Sequence, residues 1–391
     1  MRCPSLLLVI FEVLSSYIAQ EYFQKGYNEF TADVYKKTLA INSANFIVCP
    51  LSVDIILALA ESGAGGETAK EIKSALRLPE NREQIHKIFL NITPYLDSSE
   101  PYTLNSANKI YLTDKYGIHD GYKNISVIVF NSELAAVDFV DNEVSANKIN
   151  QWVNNRTHGK INDIINSDAL DDHTFAVLVN AIYFHGKWSN GFKKRDTFKS
   201  IFHLNRKDVV ETDIMEATSD YSYYSNEELK AQFLKLEYIG DDVSMHIILP
   251  DDWEGLAALE EKISDVLVAP NYHTTRVNVR IPKFRMETEI PFKSILKEMG
   301  IQSAFNEDYA DFQGMVGKDM QGYISEVMQK AFIEVDEEGT TAAAATTVVL
   351  HMKKTVNKIK IIRFHANRPF LFYLRLDKLG VNLFVGRFIT P

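Results

Sequence analysis

Residues 334–350 read Glu-Val-Asp-Glu-Glu-Gly-Thr-Thr-Ala-Ala-Ala-Ala-Thr-Thr-Val-Val-Leu: an acidic lead-in, one glycine, then eleven small or apolar uncharged residues. Four consecutive alanines favour helix, whereas the flanking threonines and valines are β-branched and favour extended chain. Written as a strand, Thr340, Ala342, Ala344, Thr346, Val348 and Leu350 share one face, and none carries a charge or a bulky polar group. That face fits the middle of a sheet. A segment exposed in one state and sheet-compatible in another gains, by strand addition, backbone hydrogen bonds that a loop makes only to water. Such a loop can store energy.

At 391 residues, 46% hydrophobic and 24% charged, the chain can bury a large core. No Pro/Gly/Ser-rich linker, low-complexity tract or internal repeat divides it, so one continuous domain is expected. A formal charge of -10 argues against general nucleic-acid binding. Residues 1–19 begin with Arg2, run through Leu6-Leu7-Leu8-Val9-Ile10-Phe11 and reach the small residues Ser15, Ser16 and Ala19, the pattern of a secretion signal. No other segment approaches the ~20 apolar residues that span a bilayer, so no membrane role is expected. Removal of the signal takes Cys3 away and leaves Cys49 alone, in an apolar run that predicts a buried, inert thiol. In a secreted chain, Asn91, Asn124 and Asn155 each open a glycan-acceptor triplet.

Helical spacing dominates residues 30–99, interrupted by Gly63-Ala64-Gly65-Gly66. Strand patterns follow at 102–112, 175–184, 243–249 and 277–281; the nearly unbroken apolar run 175–184 reads as a central strand buried on both faces. Helical stretches recur at 143–157 and 291–299, giving an α+β domain.

Tests for catalytic motifs are negative. The glycine cluster lacks the final glycine of a dinucleotide loop, where Thr68 stands, and no Gly-Lys-Ser/Thr follows; a tight interhelical turn is expected instead. Neither Gly-x-Ser-x-Gly, His-Glu-x-x-His nor paired cysteine ligands occur, so no enzymatic activity and no metal site are expected. Lys187, Lys193, Lys194, Arg195, Lys199, Arg206 and Lys207 form a basic cluster against the acidic whole. It reads either as a solvated face or as a polyanion site of the glycosaminoglycan type.

Several segments carry a resemblance to a known family. Asn45–Ser52 (Asn-Phe-Ile-Val-Cys-Pro-Leu-Ser), Ala64–Ile72, Leu178–Trp188, Ile281–Phe284, Asn367–Phe372, Phe384–Arg387 and the 334–350 run resemble, in order, segments of the serpins. The resemblance covers residues 27–391, is strongest in hinge and loop to invertebrate serpins, and with the signal read above at 1–19 implies a serpin domain at 20–391. It implies three β-sheets, about eight or nine helices and an exposed reactive-centre loop over about 337–363.

The resemblance also implies a mechanism. A protease cuts the loop, is held as an acyl-enzyme, and is distorted as the cut loop inserts into the main sheet, a transition long associated with this family. The hinge is then Glu337, Glu338, Gly339, Thr340, Thr341 and Ala342, Ala343, Ala344 and Ala345. By family spacing the scissile bond follows the residue fourteen positions beyond Gly339, at Lys353-Lys354, with Met352 and Lys358 as alternatives. A lysine there fits the acidic pocket of trypsin-like, including clip-domain, serine proteases, and its difference from arginine suggests restricted targets. Thr341 stands where glutamate is usual, Cys49 where serine is common, and Gln329 where many relatives have histidine. Ser52, Asn180 and Gln329, with Cys49, are expected to form a polar cluster where the sheet opens, beneath Trp188. Heparin-binding relatives often use an early basic helix, but residues 84–98 offer only Lys87 beyond His86, so any heparin-like ligand would use the basic cluster above. A secreted monomer needing no cofactor, joined covalently to its protease, is the implied state; a non-inhibitory carrier, storage protein or chaperone is the alternative.

Overall fold

The computed structural model describes residues 6–98, 102–317, 322–339 and 361–391. The hinge residues from Thr340 onward and the reactive-bond candidates Met352, Lys353, Lys354 and Lys358 lie outside them.

Ten α-helices are described: α1 (Leu6–Ile41), α2 (Pro50–Ser62), α3 (Gly66–Leu76), α4 (Arg82–Ile92), α5 (Asp120–Ile128), α6 (Asn142–Arg156), α7 (Leu256–Glu261), α8 (Ile263–Val266), α9 (Phe292–Glu298) and α10 (Gln313–Val316). Their ends follow sequence rules. Pro50 occupies the first turn of α2, where its missing N–H costs nothing, and the Asn81 side chain caps α4 by accepting from the amides of Glu83 and Gln84. The Gly63–Gly66 cluster is the turn between α2 and α3. No helix among the described residues is long and apolar enough to cross a membrane.

The main sheet has six strands: β2 (Asp97–Ser98), β3 (Thr103–Thr113), β4 (Glu133–Val137), β5 (Ala176–His185), β11 (Phe284–Pro291) and β12 (Ile324–Val335). Their order is β11-β12-β5-β3-β2, with β4 beside β3. The other nine are β1 (Phe46–Val48), β6 (Thr197–His203), β7 (Val209–Asn226), β8 (Ala231–Glu237), β9 (Val243–Pro250), β10 (His273–Pro282), β13 (Ile362–His365), β14 (Phe370–Leu376) and β15 (Val381–Phe388). They form one network, β1-β15-β14-β9-β8-β7-β10-β13, with β6 on β7. The long β7 joins its two arms, pairing with β6 and β10 through residues 209–223 and with β8 through residues 222–226. The three sheets expected therefore appear as the main sheet and two arms welded by one strand.

Both faces of the main sheet are covered. Leu178, Ile182 and Phe184 belong to the core shared with α2, while Val177, Val179 and Ala181 pack with Ile149 and Val153 of α6. This double burial accounts for the unbroken apolar sequence of β5.

Candidate functional site

The central junction of the main sheet is closed. β5 and β12 pair directly and parallel, from Ala176 opposite Ile324 to Tyr183 opposite Phe332, with one irregularity at Ile324/Glu326. Midway along, Asn180 stands opposite Gln329, and on the other side of β5 it stands opposite Asn108 of β3.

These three side chains belong to a closed ring of hydrogen bonds. Gln329 Nε2 donates to Asn180 Oδ1 (2.7 Å), Asn180 Nδ2 to Asn108 Oδ1 (2.7 Å), and Asn108 Nδ2 to Ser106 Oγ (3.3 Å). Ser106 Oγ lies 3.0 Å from Ser52 Oγ, which lies 3.2 Å from Cys49 Sγ. Gln329 closes the circuit by accepting from Cys49 N and donating to Cys49 O, both at 2.8 Å. Cys49, Ser52 and Gln329 are fully buried and Asn180 and Asn108 nearly so. An amide supplies both a donor and an acceptor without a charge, which suits glutamine to this site. Burial pushes the Cys49 thiol up to about 11, as befits an inert cysteine. Cys49, Ser52, Asn180 and Gln329 come together as expected from the sequence. Ser106 and Asn108 were missed, because their place in the ring comes from the register of β3 against β5.

Above the ring, β12 ends in a turn that folds over Trp188. Trp188 N and Phe192 N donate to the carbonyls of Glu338 (3.2 Å) and Glu337 (2.8 Å), and the Trp188 indole donates to Asp336 O (3.0 Å). The indole also stacks on Tyr238 with ring centroids 4.2 Å apart. Gly339 has φ +93°, and a Cβ there would lie 2.3 Å from Gly186 O and 2.5 Å from Trp188 N. Only glycine fits so close an approach in the left-handed region.

Charge holds the same turn. Glu337 pairs with Lys283 (2.9 Å) and accepts from Thr197 Oγ1 (2.7 Å), while Glu338 pairs with Lys194 (2.8 Å). Burial alone would raise the Glu337 carboxyl, but hydrogen bonds from Lys283 and Thr197 hold it below the usual range. Asp336 moves the other way: burial pushes it up, and the neighbouring Glu337 adds to the rise. Lys283, Thr197 and Lys194 as hinge partners were not read from sequence, because the pairs join segments more than fifty residues apart.

The basic cluster is divided. Lys194 is taken by Glu338, Lys199 by Asp213 (3.1 Å) and Arg206 by Asp252 (2.9 Å), and Arg195 has a looser contact with Asp196 (3.8 Å). Lys187, Lys193 and Lys207 have no ion pair among the described residues. Asn91, Asn124 and Asn155 are exposed on α4, α5 and α6.

A sheet closed at its centre by a neutral ring, and capped by a glycine turn that leads into a strand-compatible run, is the arrangement found in serpins. A family model described as Serpin (serine protease inhibitor) matches residues 25–391, and the chain belongs to that family. Among its relatives are antitrypsin of Bombyx mori, 34% identical over 372 residues covering 94% of each chain, and antichymotrypsin-2 of the same species, 35% identical over 371 residues covering 93% of this chain and 97% of the relative. The crystal structure of Serpin48, described as a highly specific serpin in the insect Tenebrio molitor, is 36% identical with a TM-score of 0.88, over 95% of this chain and 98% of that one.

Proposed function

We propose that the chain is a secreted, monomeric suicide inhibitor of trypsin-like serine proteases, acting in an extracellular cascade of the immune, melanisation or coagulation kind. The observation that carries this is the closed β5–β12 junction beneath Gly339, the residue that opens the uncharged run 340–350. In this reading the protease serine attacks the Lys353 carbonyl, an ester forms, and the Lys354 amine departs. The freed strand enters between β5 and β12 and draws the ester-linked protease away before water can hydrolyse it. A strand of about ten residues adds about as many backbone hydrogen bonds, on the order of 10 kcal/mol net at ~1 kcal/mol each. The closed state then persists behind a kinetic barrier.

The lysine at the reactive bond agrees with a relative named antitrypsin, and the Met352 alternative with one named antichymotrypsin-2. Exposed Asn91, Asn124 and Asn155 would carry glycan in a secreted product. The test is to mix the mature protein with trypsin, separate the products under denaturing conditions and weigh the released C-terminal peptide. An undissociated complex and a peptide beginning at Lys354 are expected. Cleavage without a complex would sink the inhibitory reading in favour of a non-inhibitory serpin.

A further inference from the structure

Away from the hinge, β9 and the turn after β14 share a buried polar group that the proposed inhibition does not use. Ser244 and His246 stand at alternate positions of β9, and both are buried. The Ser244 hydroxyl lies 2.7 Å from Asp377 Oδ2 and 3.0 Å from His246 Nε2, and His246 Nδ1 lies 2.6 Å from the Tyr272 hydroxyl. The imidazole stacks on Tyr373 of β14, with ring centroids 4.5 Å apart.

These contacts fix the place of each proton. Asp377 is ion-paired with Lys235 at 3.1 Å and only accepts, so the Ser244 O–H points to it. Ser244 Oγ is then left to accept from His246 Nε2–H. An imidazole with its one proton on Nε2 has a bare Nδ1, which accepts the Tyr272 O–H. The arrangement therefore needs a neutral histidine. A second proton, on Nδ1, would oppose the Tyr272 donor and put a charge into a dry site. The charged groups around the ring are Arg375 of β14 and Lys235 of β8, both cationic, and Asp377, already shared between Ser244 and Lys235. The other titratable groups against it are Tyr272 and Tyr373. Burial, with Arg375 and Lys235 nearby, holds the imidazole well below the usual histidine range.

Tyr272 anchors the connection between α8 and β10. Val268 and Asn271 within it are exposed, and its two ends are held by Asn382 Nδ2, which donates to Leu267 O (3.1 Å), and by the bond from Tyr272 to His246. Asp377 opens the turn between β14 and β15, whose Leu379 carbonyl accepts from Gln24 of α1.

We infer that Ser244, His246, Tyr272 and Asp377 form a latch that acid opens: closed near neutral pH, it ties residues 267–273 and the β14–β15 turn to β9, and protonation of His246 releases Tyr272 and frees that connection. The latch does not depend on the inhibitory reading. Its sign follows from the proton count. The opened or unfolded chain takes up the proton near pH 6.5, whereas the closed latch resists it. Closure is complete above that value and weakens by up to about tenfold per unit as pH falls below it, down to the lowered value in the fold.

Hydrogen exchange of the full chain, followed by mass spectrometry and corrected for the intrinsic rate, reads the latch directly. Between about pH 7.5 and about pH 5, protection of residues 267–273 and 377–380 should fall roughly ten- to thirtyfold while β5 holds its own. His246→Gln offers Tyr272 an acceptor and Ser244 a donor at either pH, and should keep its protection at both. Tyr272→Phe should show at neutral pH the low protection that the parent reaches in acid, and change little further. Nitrogen NMR of the parent serves even if a variant misfolds: His246 should carry its proton on Nε2 at neutral pH and gain the second only below about pH 6. Unchanged protection in the parent, a loss spread equally over β5, an acid response in His246→Gln equal to the parent's, or a proton on Nδ1 at neutral pH overturns the inference.

Discussion

The junction between β5 and β12 is fastened twice, by opposite means. Its middle is a ring of neutral amides, hydroxyls and one thiol, buried except at the half-buried Ser106. Its upper end is a turn held by ion pairs and by backbone donors reaching from another segment. Neutral buried bonds are insensitive to salt and to pH near neutrality, and removing one partner strands the other in a dry site. Partly exposed ion pairs are screened, weak and adjustable. On the inhibitory reading, the upper fastening is where opening would be started and tuned, and the middle is where the barrier would be set.

The largest effect should follow from breaking the ring. Asn180→Ala leaves Gln329 Nε2 short of one acceptor and Asn108 Oδ1 without its donor, at about 1–3 kcal/mol for each stranded group. Urea unfolding should show that loss equally at low and high salt, and a salt-dependent loss would contradict the contrast. At the upper end, Gly339→Val places a side chain against Gly186 O at positive φ, costing roughly 2–3 kcal/mol of hinge closure. Trp188 emission should report an open turn while the ring stays intact.

One group near the middle does titrate. Asp54, two residues beyond Ser52 in α2, is 1% exposed, neither carboxyl oxygen has a partner, and burial pushes its carboxyl well above the ordinary value. An acid raised in the folded state favours folding below the unfolded pKa near 4. As pH rises through that value toward the folded pKa, stability falls by up to about 1.4 kcal/mol per unit. Asp54→Ala should flatten that slope; a slope that survives it must arise elsewhere. Smallest of all, Glu337→Gln should cost about 1 kcal/mol, shrinking as salt is added. The parent Glu337, lowered in the fold, contributes above its unfolded pKa and loses that contribution as pH falls through the folded one, so acid and salt should mimic the substitution.

Much of this was legible in the sequence where one residue pattern carried the whole signal. The apolar run 175–184 became β5 at 176–185, and the helical stretches at 143–157 and 291–299 became α6 and α9. The strand β7 was not anticipated: its residues 209–226 are rich in Glu, Asp, Ser and Thr, because one side of much of its length faces solvent and no continuous apolar period survives. The ring was half legible. Asn180, Gln329, Cys49 and Ser52 came from family resemblance, whereas Ser106 and Asn108 owe their role to register across β3 and β5, which no local pattern reports. The same holds for Lys194 and Glu338, an exposed lysine and a hinge glutamate that meet only after two distant connections are laid side by side.

The direction of the strands at the junction adds a last point. Each of the long neighbouring pairs in the main sheet, β11 with β12 and β3 with β5, is antiparallel; β5 with β12 is parallel. Parallel pairing is slightly less stable per residue, so the weakest of the sheet's long pairs lies where the proposed insertion would part it. A chain that reverses at Gly339 runs opposite to both flanking strands. On the inhibitory reading, one parallel contact would be exchanged for two antiparallel ones, and the short β3–β4 pair would be the parallel contact left among the described strands of the sheet.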